Sequence, residues 1–101
     1  MNDITVQELK ERLDKGENLI VIDVREPHEY EEFNIGAMLM PLGDLPNRFG
    51  ELADHRDEEI ILHCRSGARS GVAKTFLTQN GFSKVRNLLG GMQDWQLNYG
   101  K

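Results

Sequence analysis

The sequence predicts an α/β fold of three layers, a mostly parallel sheet with helices on both faces. Three observations carry that expectation. Apolar runs of strand length alternate along the chain with stretches of helical periodicity. One run, Leu19-Ile20-Val21-Ile22-Asp23-Val24, is continuous rather than alternating, which marks a strand covered on both faces and so a central parallel one. A second, Ile60-Ile61-Leu62, gives way within a few residues to helical spacing at Val72, Ala73, Phe76 and Leu77. Right-handed crossovers then bring the strand C-termini to one edge, where ligands bind in such sheets. Asp23, Cys64 and Gly90-Gly91 all end strands and converge there, although the strand order does not follow from the pattern.

Taken in order, Thr5 followed by Glu8 reads as a capping box, with Val6, Leu9 and Leu13 as the apolar stripe of a first helix that stops at Gly16. The central strand follows, with Asp23 near its end. Arg25-Glu26-Pro27 opens a short helix with Pro27 in its first turn. Glu29, Tyr30 and Phe33 lie on it, Glu29 placed to reach back to Arg25 as a buried pair tying strand to helix. Asn34-Ile35-Gly36-Ala37 reads as a turn and Met38-Leu39-Met40 as a short strand ended by Pro41. A helical stretch through Leu45, Phe49 and Leu52 is interrupted by Pro46 and starts after Asp44. Beyond the strand at Ile60–Leu62, a helix is expected from Ser70, with Gly81 as its left-handed C-terminal residue. Val85-Arg86-Asn87-Leu88 is a further strand and Gly90-Gly91 its turn. A closing helix from Met92 to Tyr99 presents Met92, Trp95 and Tyr99 on one face, with Trp95 in the core.

Composition bounds the function. A chain of 101 residues supports one domain, 1–101. Twelve basic and seventeen acidic residues give a net charge of −5, without a Lys/Arg run that could track nucleic acid. One cysteine excludes an internal disulfide, and His28, His55 and His63 are too scattered for a zinc site, so they read as surface or packing residues. The N-terminus lacks a signal-peptide pattern and no apolar run approaches a membrane span. The expectation is a cytoplasmic protein with no membrane partner and a reduced Cys64.

The stretch that concentrates chemistry is His63-Cys64-Arg65-Ser66-Gly67-Ala68-Arg69-Ser70. Cys64 falls at a strand-to-helix junction, where loop amides and the first helical turn point inward and the helix dipole adds positive charge. Such a field lowers a thiol's pKa. Arg65 and Arg69 add charge, and Gly67 lets the backbone turn its amides onto an anion. A lone cysteine ending an apolar strand is more often inert packing. Two arginines, two serines and a glycine in the next six residues fit a core thiol poorly and an anion cradle well.

Cys64-Arg65-Ser66-Gly67-Ala68-Arg69-Ser70 resembles the active-site loop of the small single-domain rhodanese-like sulfurtransferases. Asp23-Val24-Arg25 with Glu29-Tyr30, Gly36-Ala37 followed by Pro41-Leu42, and Gly90-Gly91-Met92 with Trp95 agree in the family's order. The resemblance implies the rhodanese strand order and a double displacement through a Cys64 persulfide. The sulfur donor would be thiosulfate or a persulfide and the acceptor cyanide or a thiol, a protein thiol among the candidates. No metal or organic cofactor is implied. Arg65 would orient the anion at the rim and Arg69 brace the loop or share that task. Ser66 and Ser70 could donate hydroxyl bonds, Ser70 alternatively as an N-cap. Asp23, Arg25 and Glu29 read as support, with Asp23 bonding loop amides or an arginine. Where relatives often carry Gly-His-Ile-x-Gly-Ala, this chain has Phe33-Asn34-Ile35-Gly36-Ala37, which bears on rim shape and acceptor choice.

Two rivals stand beside that reading. Cysteine-based phosphatases resemble Cys-x5-Arg, whereas Arg69 follows Cys64 as Cys-x4-Arg, and the shorter loop makes a smaller ring of amides. A sulfur-relay or regulatory module with a protein partner is the other, favoured by a chain too short for lids over Cys64.

Overall fold

The computed structural model describes residues 1–100. Thr5 accepts a hydrogen bond from the Glu8 amide and caps the first helix, α1, Val6–Asp14. Only half of the expected capping box forms, because the Glu8 carboxylate turns to the Arg86 guanidinium at 2.8 Å. Strand β1, Ile20–Asp23, leads to α2, Pro27–Glu32, and then to β2, Met38–Leu39. Pro46 does not break a single helix: it sits in the first turn of a short α3, Leu45–Arg48, flanked by 3-10 turns at Leu42–Asp44 and Phe49–His55. Strand β3, Ile60–His63, runs through the loop into α4, Ala68–Gln79, followed by β4, Val85–Asn87, and α5, Gly91–Tyr99.

All pairings are parallel, in the order β2-β1-β3-β4. The chain passes from β1 to β2 on one side, then returns to place β3 on the other side of β1. The order reverses between β1 and β3, where Asp23 pairs in register with His63. That reversal opens a crevice at the strand C-termini, the ligand position of open parallel sheets. Cys64 follows directly.

The two faces carry two cores. Ile22, Ile60 and Leu62 pack with Leu45, Leu52, Ala73, Leu77 and Phe82 on the α3/α4 side. Ile61 and Leu88 pack with Val6, Leu9, Met92 and Trp95 on the α1/α5 side. Period-two alternation along a strand sends successive side chains to opposite layers, so a continuous apolar run feeds both. Trp95 is buried as expected, while Tyr99 lies half outside with its ring edge-on to Trp95 at 5.2 Å. Val72, expected on the apolar face of its helix, is 59% exposed. Helix α4 begins at Ala68 rather than Ser70 and buries Ser70, Ala73 and Leu77, a register offset from the predicted one.

Candidate functional site

Cys64 lies immediately beyond β3, and residues 65–67 turn the chain into α4. Gly67 makes that turn with φ +104°, a left-handed conformation that suits glycine. The Gly67 amide donates to Cys64 Sγ at 3.1 Å, the Ser70 amide at 3.4 Å, and the Ser70 hydroxyl lies 3.3 Å from the sulfur. The Ser66 amide also addresses it. The start of the loop is also held from its far side. The carbonyls of Cys64 and Arg65 accept from the Met92 and Gln93 amides of α5, both at 2.9 Å. The first turn of α5 thus takes the Cys64 and Arg65 oxygens as its cap, which orients the following peptide so that the Ser66 N–H faces the sulfur.

The electrostatics follow. Burial, the largest single influence, presses the Cys64 thiol upward; the Ser70 hydroxyl and the amides of Ser70, Gly67 and Ser66 together outweigh it, so the pKa falls below the ordinary value. Cys64 has no exposed surface. The open cysteine expected of a short chain is therefore not what the structure holds: the residue is buried.

The remaining residues divide by role. Asp23 is fully buried and receives Arg25 three times: the backbone amide at 3.0 Å, Nε at 3.0 Å and Nη2 at 2.8 Å. Arg25 Nη2 also donates to the Phe33 carbonyl at 2.6 Å, which ties β1 to the end of α2. The Arg25–Glu29 pair expected from spacing does not form. Glu29 instead takes both terminal nitrogens of Arg69, at 2.7 and 2.9 Å, and accepts the Glu26 amide. The Arg69 guanidinium holds the Glu29 carboxyl down to about 2. Arg69 is therefore a strut from α4 to α2, whereas Arg65 is exposed and makes no ion pair among the described residues. Ser66 and Ala68 are exposed on the loop rim and Ser70 is buried under it. Between α2 and α5 a cavity of about 450 Å³ opens beside the loop, lined by Arg25, His28, Glu29, Arg65, Gln93 and Gln96 among others.

Two residues of the site were not legible as such. Asn87 reads in the sequence as part of a strand, yet its side chain reaches Gly67 and Ser70; a polar residue at an inward strand position was the available signal. His63, in the sequence one of three scattered histidines, is fully buried beside Asp23, with Nε2 3.9 Å from Oδ2. Neither ring nitrogen has a hydrogen-bond partner among the described residues. Burial pushes its pKa down from 6.5 to about 4, against the pull of Asp23. As pH falls through that window the unfolded chain takes up a proton that the folded chain refuses, so stability falls with it. The loss between pH 6.5 and about 4 is expected to approach about 3 kcal/mol for this residue. Urea titrations across pH check it: His63→Leu should flatten the curve in that window, and an unchanged slope would sink the assignment.

The family model of the rhodanese-like domain matches residues 5–98. A sulfurtransferase of Allochromatium vinosum is 35% identical over 96 residues, covering 94% of this chain and 88% of that protein. Bacillus subtilis YrkF is 39% identical over 94 residues, covering 92% of this chain, but the chain spans only 50% of YrkF's length. Among solved structures, the rhodanese-related protein of Thermoplasma volcanium superposes with a TM-score of 0.86 at 28% identity, covering 100% of this chain and 96% of that one.

Proposed function

This chain belongs to the rhodanese-like domain family, and from that premise we propose that it moves sulfane sulfur from a donor to a thiol or cyanide through a persulfide on Cys64. One observation carries the reading: a thiol of lowered pKa at the end of β3, held by a ring of loop and helix amides. In the first half-reaction the Cys64 thiolate attacks the outer sulfur of thiosulfate or of a persulfide. An S–S bond forms to Sγ, and the old bond's electron pair leaves with sulfite or with the donor thiolate. In the second, cyanide or an acceptor thiolate attacks the terminal sulfur, and the pair of the Sγ–S bond returns to Cys64. Thiocyanate or a new persulfide departs. The amide ring would hold the terminal persulfide anion, with Arg65 drawing the donor to the rim. A reducing compartment such as the cytoplasm supplies the free thiol that this cycle starts from.

The geometry weighs against phosphatase chemistry. A phosphatase loop needs its arginine on the phosphoryl oxygens, and Arg69 is committed at both terminal nitrogens to Glu29. A protein acceptor is favoured as the second reading by the match to half of YrkF, in which such a domain is joined to further chain. The cavity between α2 and α5 is the route by which an acceptor thiol would approach Arg65.

Intact mass after incubation with thiosulfate tests the reading. Wild type should gain one sulfur atom, lose it to cyanide and release thiocyanate, while Cys64→Ser stays unchanged. Absence of the gain from both thiosulfate and a small persulfide would refute sulfur transfer.

A further inference from the structure

The Ser70 hydroxyl has one proton and two neighbours that want it. Cys64 Sγ lies 3.3 Å from Oγ, and Asn87 Oδ1 lies 2.5 Å from it. Which end of the Asn87 amide faces Ser70 is fixed by the other end. Nδ2 donates to the Gly67 carbonyl at 3.0 Å, a group that only accepts. Oδ1 therefore turns to Ser70, and because a carbonyl oxygen cannot donate, the Ser70 proton lies on that short line. The lone pairs of Oγ then face the sulfur, where they can accept a thiol proton but not stabilise a thiolate.

We propose that Asn87 is a positioning residue that holds the Ser70 hydroxyl proton whenever Cys64 Sγ is uncharged and releases it to Sγ when the thiolate forms. The proposal rests on the reading of Cys64 as nucleophile. In the persulfide the charge sits on the terminal sulfur and Sγ is neutral, so the hydroxyl swings back to Oδ1 and no donor is stranded. Asn87 thus favours both neutral-Sγ states over the thiolate. It tempers a thiol that must act as nucleophile in one half-reaction and leaving group in the next, roles that pull its pKa in opposite directions. Asn87 is itself held for this: it is 9% exposed, and its backbone amide donates to Asp3 Oδ1 at 3.0 Å, while Lys74 of α4 holds the same oxygen at 2.7 Å.

Other ionisable groups around the sulfur are Arg69 from α4, Arg65 on the loop, His63 and Asp23 on the sheet, and Asp3 with Lys74 behind Asn87. None is altered by the variants below, and the Gly67 carbonyl keeps its bond from the Gly71 amide at 2.9 Å when Asn87 is removed. The loop's orientation therefore survives the loss of Nδ2.

The test is the pH dependence of Cys64 alkylation by iodoacetamide, which needs no sulfur transfer and so stands or falls separately from the persulfide experiment. With Ser70 present, Asn87→Ala should lower the midpoint, by about one pH unit, because the hydroxyl is then free to donate to the thiolate. Asn87→Asp should raise it, since a carboxylate holds the proton harder. In a Ser70→Ala background the Asn87→Ala shift should vanish, and the Asn87→Asp shift should shrink to the direct repulsion between charges. An Asn87→Ala shift of equal size with and without Ser70, or no shift with Ser70 present, overturns the proposal. In the unmodified protein, the Asn87 Nδ2 resonances should titrate with the Cys64 midpoint and stop doing so in Ser70→Ala. Resonances that ignore the Cys64 titration overturn it independently of how the Asn87 variants fold.

Discussion

Gly91→Ala is expected to lower stability by more than about 4 kcal/mol and to raise the Cys64 pKa toward its ordinary value. The backbone conformation, φ +53°, is the smaller part of the reason, because a left-handed alanine costs only about 1–2 kcal/mol. The larger part is what a Cβ would meet: the Cys64 carbonyl oxygen at 2.5 Å and the Arg65 carbonyl oxygen at 2.6 Å. Both are backbone atoms, so no rotamer change relieves the clash. They are also the two oxygens held by the Met92 and Gln93 amides. Pushing them away rotates the peptide unit that carries the Ser66 N–H toward Sγ and shifts the start of the loop that presents the Gly67 amide. Denaturant stability should therefore fall and the pH midpoint of Cys64 alkylation rise together, and a variant with wild-type values of both would show that the α5 contact does not orient the loop.

Arg25→Ala is expected to cost about 3–5 kcal/mol, the range for removing one member of a buried ion pair. Asp23 would keep a single donor, the residue 25 amide, while its carboxylate stayed fully buried 3.9 Å from His63 Nε2. The stranded charge should then draw a proton onto His63, lifting the depressed pKa toward its ordinary value. Chemical denaturation measures the first effect, and the histidine ring resonances the second. Loss of sulfur transfer without loss of stability would mean that Arg25 acts on substrate rather than on the scaffold. Arg25→Lys should recover little, because an ammonium cannot span Asp23 and the Phe33 carbonyl as the guanidinium fork does.

The layers, the elements and the position of Cys64 could be read from periodicity because each depends on local pattern: apolar runs of strand length, a glycine before a helix, turn residues between. Partner choice among charges could not. Arg25 has Glu29 four residues ahead and Asp23 two behind, and spacing favours the former. It is the burial of Asp23 at the end of an interior strand that makes an unpaired carboxylate there intolerable and draws Arg25 back. Glu29 is then free to meet Arg69 across forty residues of chain, a separation no local rule anticipates. Asn87 was hidden for the same reason: its partners lie on a different element, and only the β3–β4 register, which pairs Leu62 with Asn87, brings it beneath the loop.

The dependence of the Cys64 ring on α5 also sets an order of events during folding. The cysteine emerges from synthesis well before the helix whose amides pull the loop carbonyls outward. Without that helix nothing holds the Cys64 and Arg65 carbonyls outward, and the Ser66 N–H loses the orientation by which it helps lower the thiol's pKa. The full lowering of the thiol's pKa thus arises with the α5 contact rather than with the segment that bears the nucleophile. The acidity of the Cys64 thiol is accordingly a reporter of α5 docking, more specific than helix content, which α1 to α4 supply without it.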